Sequence, residues 1–137
     1  MRSLLLSLAA LFALSALSSA KMQNVTVKGT AICHKKRLAN IVVQLIEHDT
    51  LDPNDLLMDM KTNGEGEFEV KGGQDEFGSI EPFVRFFHDC DLTEDQQKKG
   101  CKRRVDFDVP KKFINGPVYD MTYVPLNIKQ RDEKIDC

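Results

Sequence analysis

The sequence predicts an all-β sandwich of about eight short strands, with at most one short surface helix. Three observations carry that reading. Apolar and polar residues alternate with period two in several stretches, the pattern of a strand with one buried face. Clusters of Gly, Pro, Asn and Asp punctuate those stretches at short intervals. Beyond the N-terminal apolar run, nothing repeats at a fixed period and no low-complexity linker divides the chain.

The N-terminus stands apart. Arg2 precedes an almost wholly apolar run from Leu4 to Leu17, and Ser18-Ser19-Ala20 places small residues where a signal peptidase cuts. This is the layout of a secretory signal peptide over residues 1–20, too short and too polar in its flank for a membrane span. The domain expected after cleavage is 21–137, and no later segment is apolar enough to cross a bilayer. The remaining 117 residues suit one domain with a modest core. They carry 18 basic and 21 acidic side chains, a formal charge of −3, which is not the balance of a nucleic-acid binder. There is no Trp, so Phe must supply much of the aromatic core.

The elements follow in order. In Val25–Ile32, Val25, Val27, Gly29 and Ala31 share a face. In Ile41–Glu47, Ile41, Val43 and Leu45 do the same, and the charged run His34-Lys35-Lys36-Arg37 between them reads as a turn, giving a β-pair. Leu56–Lys61 places Leu56, Met58 and Met60 on one side. With the turn Thr62-Asn63-Gly64-Glu65-Gly66 and the strand Glu67–Val70 it reads as a hairpin. Pro82–His88 is apolar on both faces, as in a central strand, and Arg85 on it needs an edge or a carboxylate. Thr93-Glu94-Asp95-Gln96 has capping-box spacing and Gly100 can end a helix, so Glu94–Lys99 is the one helical expectation. Arg103–Val109 alternates with Val105, Phe107 and Val109 inward, and Pro110 ends it. Tyr119–Ile128 is a last strand, broken at Pro125.

Four cysteines, Cys33, Cys90, Cys101 and Cys137, are expected to form two disulfides in a secreted chain of this size. Three pairings are open. The favoured one joins Cys90 to Cys101 across a short loop and Cys33 to Cys137 at the C-terminus. No cysteine pair has zinc-site spacing. Asp59, Asn63 and Gly64 fall at calcium-loop positions, but Lys61 and Val70 stand where oxygen ligands are required, so that loop holds no calcium. No cofactor and no metal are expected. Asn24-Val25-Thr26 is the single glycosylation sequon, with Asn24 the acceptor.

The ordered motifs point further. Val27-x-Gly29-Thr30-x-x-Cys33 comes first, then Asn40-Ile41-Val42-Val43-x-Leu45-x-Glu47-x-Asp49 and Asp52-Pro53-x-Asp55-Leu56-Leu57. Thr62-x-x-x-Gly66-x-Phe68, His88-Asp89-Cys90, Cys101, Val109-Pro110 with Phe113-Ile114, and Tyr119-Asp120 complete the series. The set resembles the nematode transthyretin-like family over essentially the whole chain after the leader. The resemblance implies a transthyretin-like β-sandwich of two sheets, secretion, and disulfides at these cysteines. Two departures stand out: Arg37-Leu38 in the turn after Cys33, and a long, charged Cys90–Cys101 segment.

The transthyretin fold also hosts the hydrolase of hydroxyisourate, which depends on histidines, an arginine and a C-terminal Tyr-Arg-Gly-Ser. Here neither Tyr119 nor Tyr123 is followed by Arg-Gly-Ser, and His34, His48 and His88 all fall at strand ends or turns. Cysteines held in disulfides supply no thiolate nucleophile. His88-Asp89 reads as a hydrogen-bonded strand end beside a disulfide. The expectation is therefore no catalytic residues.

Lys98, Lys99, Lys102, Arg103 and Arg104 form the one dense basic cluster. It is the candidate binding surface for an anionic lipid headgroup or a partner's carboxylates. The family resemblance adds weight, because the family includes an extracellular protein that resembles a bridge between exposed phosphatidylserine and a receptor. The expected function is a secreted, non-enzymatic binding protein joining a receptor or host protein to such a surface. The alternative is a carrier of a small apolar ligand, which requires a roomy apolar pocket where Phe68, Phe83, Phe87 and Phe107 are expected to fill a small core.

Overall fold

The computed structural model describes residues 21–137; the expected leader, residues 1–20, lies outside the described residues. Strand β1, Lys21–Cys33, is the longest, and its alternation buries Val25, Val27 and Ala31. Along one edge runs antiparallel β5, Glu67–Glu76, in register from Lys21↔Glu76 to Thr30↔Glu67. Strand β8, Tyr119–Pro125, lies parallel to β1. The two-residue β2, Lys36–Arg37, folds back on Ile32 and Cys33 through His34 and Lys35, both in the left-handed region (φ 49° and 69°). These four strands are one sheet.

The second sheet is wholly antiparallel. Its order is β4 (Asp55–Lys61), β3 (Val42–Glu47), β6 (Pro82–His88), β7 (Lys102–Asp108) and β9 (Lys134–Asp136). The result is the expected β-sandwich of two sheets, with nine strands among the described residues. Between β6 and β7 lies the expected helix α1, Glu94–Lys98. Thr93 Oγ1 accepts from the Gln96 N–H, and the Gln96 side chain accepts from the Thr93 N–H, completing the capping box. A 3₁₀ turn, Lys111–Phe113, follows β7. Among the described residues no helix is long and apolar enough to cross a membrane.

The core forms between the sheets. Val27, Ala31, Val43, Leu45, Val70 and Val84 are fully buried there. Phe86 packs edge-to-face against Phe68 (5.2 Å between ring centroids) and Phe107 (5.7 Å), the geometry that aromatic quadrupoles favour. Gly29 makes this possible: a Cβ at that position would stand 2.9 Å from Phe68 Cζ. This accounts for glycine in the Val27-x-Gly29 motif.

Strand pairing differs from the sequence reading in three places. The first two apolar strands do not pair, since β1 and β3 lie in opposite sheets. The Leu56–Lys61 and Glu67–Val70 stretches are likewise not a hairpin: β4 pairs with β3 and β5 with β1, so the turn between them crosses the sandwich. Asn63 holds that crossing, its Oδ1 accepting from the N–H groups of Glu65 (3.0 Å) and Glu67 (2.9 Å). A bulge between Leu45 and Ile46 turns Leu56 out to solvent, while Leu57, Met58 and Met60 pack against the core. Strand β9 has no counterpart in the sequence reading, being three exposed residues of which Ile135 alone is apolar.

The disulfides correct the favoured pairing. Cys33 bonds Cys90 and Cys101 bonds Cys137. Cys33 ends β1 in one sheet and Cys90 follows β6 in the other, so the first bridge ties the sheets together. The second follows from β9: pairing of Lys102 with Asp136 brings Cys137 beside Cys101. The ends of α1 are thus held by its own caps and by two different bridges rather than by a Cys90–Cys101 loop.

Phe83 and Phe87 do not join the core between the sheets, although Phe83 is itself buried. Val84, Phe86 and His88 take the inner face of β6, which leaves Phe83, Arg85 and Phe87 on the outer one. Arg85 finds its expected carboxylate across the ladder, with Nε 2.8 Å and Nη2 3.0 Å from the Asp106 oxygens. Its guanidinium lies 5.4 Å from the Phe83 ring centroid, stacked on the apolar surface it interrupts.

Candidate functional site

The five expected cations do not form one surface. Lys98 closes α1, Lys99 caps it, and Lys102 opens β7; all three are exposed. Arg104 shares the outer face of β7 with Lys102, half-buried, with Nε 3.6 Å from Asp136. Arg103 points the other way, as a strand's alternation demands. It is 7% exposed, donates through Nε to the Glu133 carboxylate, and donates through Nη1 to the Cys90 carbonyl at 2.7 Å. Arg103 is therefore a structural cation and leaves the candidate surface. Its parity with Val105 and Phe107, both read as inward, was the signal in the sequence.

His88 lies beside this pair and is fully buried. Its Nδ1 accepts from the Cys90 N–H at 3.1 Å, as expected for a strand end next to a disulfide; Nε2 has no partner among the described residues. Burial first, and then the Arg103 charge, push its pKa down to about 4, against partial opposition from Glu133. An imidazole in this state stays neutral at physiological pH. Burial alone would raise the Glu133 carboxyl, but the Arg103 and Gln130 hydrogen bonds outweigh it and hold the group below its usual range.

A pH dependence follows. Native His88 binds its proton only near pH 4, whereas an unfolded histidine binds near 6.5. Between those values the unfolded state carries more protons. Stability contributed by neutral His88 is thus complete above about 6.5 and lost as pH falls towards about 4, by on the order of 3 kcal/mol. Glu47 acts in the opposite sense. Its folded pKa is raised, chiefly by burial and then by neighbouring carboxylates against a backbone hydrogen bond from Glu81. Urea melts through this window should show a clear acid slope in the native protein and a much flatter one in His88→Gln. Equal slopes would remove His88 as the cause.

At the opposite end of the five-stranded sheet, four carboxylates converge. Glu47 ends β3 and pairs in register with Asp55 at the start of β4; Asp49 follows in the loop, and Glu76 ends β5. Each offers an oxygen, and these all lie within 4.8 Å of one another. No local spacing in the sequence marks these residues as metal ligands. These four are spread over thirty residues and meet only when β5 of one sheet closes over β3 and β4 of the other.

The remaining candidates separate. Asn24 is exposed on β1, where it exchanges backbone and side-chain hydrogen bonds with Asn115. His34 is exposed and 2.8 Å from Asp91, while His48 follows β3 at the end away from His88. A recess of about 750 Å³ is lined by Met58, Met60 and Phe68, but its rim carries Lys28, Glu67 and Asp120. A second, of about 530 Å³, lies over the outward Phe83 and Arg85. Neither is a closed apolar chamber of the kind a lipophilic ligand needs.

Comparison with known proteins agrees with this architecture. The model of the transthyretin-like family (TTR-52) matches residues 28–110, from within β1 to two residues past the end of β7. The chain is 51% identical to Transthyretin-like protein 16 of Caenorhabditis elegans, over 100% of this chain and 99% of that protein. It is 34% identical to Transthyretin-like protein 33 of the same animal, over 95% and 94% of the two chains. With that animal's Transthyretin-like protein 5 it shares 32% identity over 84% of each.

Proposed function

The chain belongs to the transthyretin-like family, and on that premise we propose that it is a secreted, non-enzymatic binding protein that bridges a receptor or host protein to an anionic, phosphatidylserine-type surface. The family is generally non-enzymatic. Residues 1–20 serve as its leader, and Asn24 on the exposed edge of β1 carries its glycan.

One observation carries the reading. Lys98, Lys99 and Lys102 are exposed together at one end of the sandwich, on a short segment fixed by the α1 caps and the Cys101–Cys137 bridge. With the backbone already fixed, only the lysine side chains remain to be ordered when the segment meets a charged surface. The carrier alternative has less in its favour, given the charged rims of the recesses.

Each lysine near an anionic membrane contributes about 1 kcal/mol, so neutralising three should weaken binding roughly a hundredfold. The test is co-sedimentation of the oxidised protein with phosphatidylserine or phosphatidylcholine liposomes at low and physiological salt. The variant is Lys98→Gln/Lys99→Gln/Lys102→Gln, with the buried Arg103 kept. Selective binding that the variant loses is the expected result. Equal sedimentation with both lipids, or an unaffected variant, would overturn the lysine surface.

A further inference from the structure

We infer that Glu47, Asp49, Asp55 and Glu76 form a calcium-binding site at the end of the sandwich remote from the lysines. The inference is independent of the lipid reading. Oxygens that share one calcium ion lie about 2.4 Å from it, so they stand at most about 4.8 Å from each other. The four carboxylates meet that span. They come from a strand end, a loop, a strand start and another strand end, a spread that suits calcium's tolerance of irregular coordination better than magnesium's demand for an octahedron. All four ligands are hard oxygen donors, which disfavours zinc.

An acidic cluster alone proves nothing, and the second observation here is the state of Glu47. It is 1% exposed, yet its Oε2 has no hydrogen-bond partner among the described residues. Its other oxygen accepts a long bond, 3.4 Å, from the Glu81 N–H. A buried carboxylate is ordinarily paired or coordinated, because an uncompensated charge in a poorly solvated place is costly. None of the four is in an ion pair among the described residues. The nearest donor, Gln74 Nε2, bonds Asp55 at 2.5 Å and Glu76 at 3.5 Å, and it is neutral. Four mutually repelling carboxylates with no cation is the arrangement that a divalent ion relieves.

The loop is already set for it. Asp49 Oδ1 accepts from the N–H groups of Leu51 (3.0 Å) and Asp52 (3.3 Å), and the Asp49 N–H donates to Asn54 Oδ1 at 3.1 Å. That frame spends one oxygen of Asp49 on the backbone and leaves the other for the ion. Leu51, 92% exposed, lies in the loop that carries Asp49, and Phe77, 77% exposed, directly follows Glu76 at the end of β5. A bound ion would therefore fix the positions of two exposed apolar side chains as well.

The experiment is equilibrium dialysis of the oxidised, chelator-stripped protein against labelled calcium at neutral pH and physiological salt, beside thermal melts with and without calcium. The expected result is one ion per chain with half-saturation near about 0.1–1 mM, the range of extracellular calcium modules. The melting temperature should rise with calcium and less with equimolar magnesium. Glu76→Gln and the loop variant Asp49→Asn should each weaken binding at least about tenfold, the loss typical of a damaged metal site. Glu47→Gln should abolish it, and the two more accessible variants keep the test sound if that one folds poorly. No bound calcium up to about 10 mM, or Asp49→Asn and Glu76→Gln binding as the native protein does, would overturn the site. Protein that gains the same stability from Glu47→Gln without calcium, and binds none, would show instead that a proton occupies the cluster.

Discussion

Replacing Arg103 by Met is expected to destabilise the fold by about 3–5 kcal/mol, because it leaves a buried carboxylate without its counter-charge. The Glu133 side chain is 3% exposed and takes its charge-assisted hydrogen bond from Arg103. The Cys90 carbonyl would lose its donor in the same step. Urea midpoints measure the effect. The Lys98→Gln/Lys99→Gln/Lys102→Gln protein is the comparison, since exposed changes of this kind usually fall within about 0.5 kcal/mol each. A second variant, Arg103→Met/Glu133→Leu, removes both charges and should recover much of the loss, as buried ion pairs replaced by apolar groups often do. An Arg103→Met cost under about 1 kcal/mol would mean that the pair is solvated and that Arg103 belongs with the lysines after all.

Removing the Cys33–Cys90 bridge is expected to cost about 4 kcal/mol on the chain-entropy account, for a loop that spans 57 residues. The variant is Cys33→Ala/Cys90→Ala. Loss of Cys101–Cys137, with a span of 36, should cost slightly less by the same account. The two differ in what they release. The first bridge joins the sheets. The second anchors β9 on β7 and so keeps Glu133, one residue before β9, over Arg103. Combining Cys101→Ala/Cys137→Ala with Arg103→Met should therefore cost less than the sum, a coupling that a double-mutant cycle reads directly. Non-reducing peptide mapping checks the premise. A peptide joining Cys90 to Cys101 would refute both expectations at once.

If calcium binding and lysine-dependent lipid binding both hold, the molecule works from its two ends. The helical cap and Lys102 supply positive charge beside His88, and the carboxylate cluster supplies a cation-dependent structure beside Glu47. The inter-sheet core between them, with Phe68, Phe86 and Phe107 interlocked, gives the rigidity that keeps these ends apart.

By itself the sequence determined the class of fold, and the reason is local. Side chains alternate across a strand because of backbone geometry alone, so Val25, Val27 and Ala31 on β1, or Val105 and Phe107 on β7, declare their inner face without knowing what covers it. The helix cap at Thr93 was legible for the same reason, since its hydrogen bonds span three residues. The ordered motifs carried the family. Tertiary structure decided the partners. Whether β3 pairs with β1 or β6, and whether Cys90 meets Cys101 or Cys33, depends on packing that couples residues dozens of positions apart, which no local period records. The candidate site follows the same division. Lys98, Lys99 and Lys102 could be read from adjacency, whereas Arg103 was claimed by Glu133 thirty residues on, and the Glu47 cluster exists only because two sheets close over it.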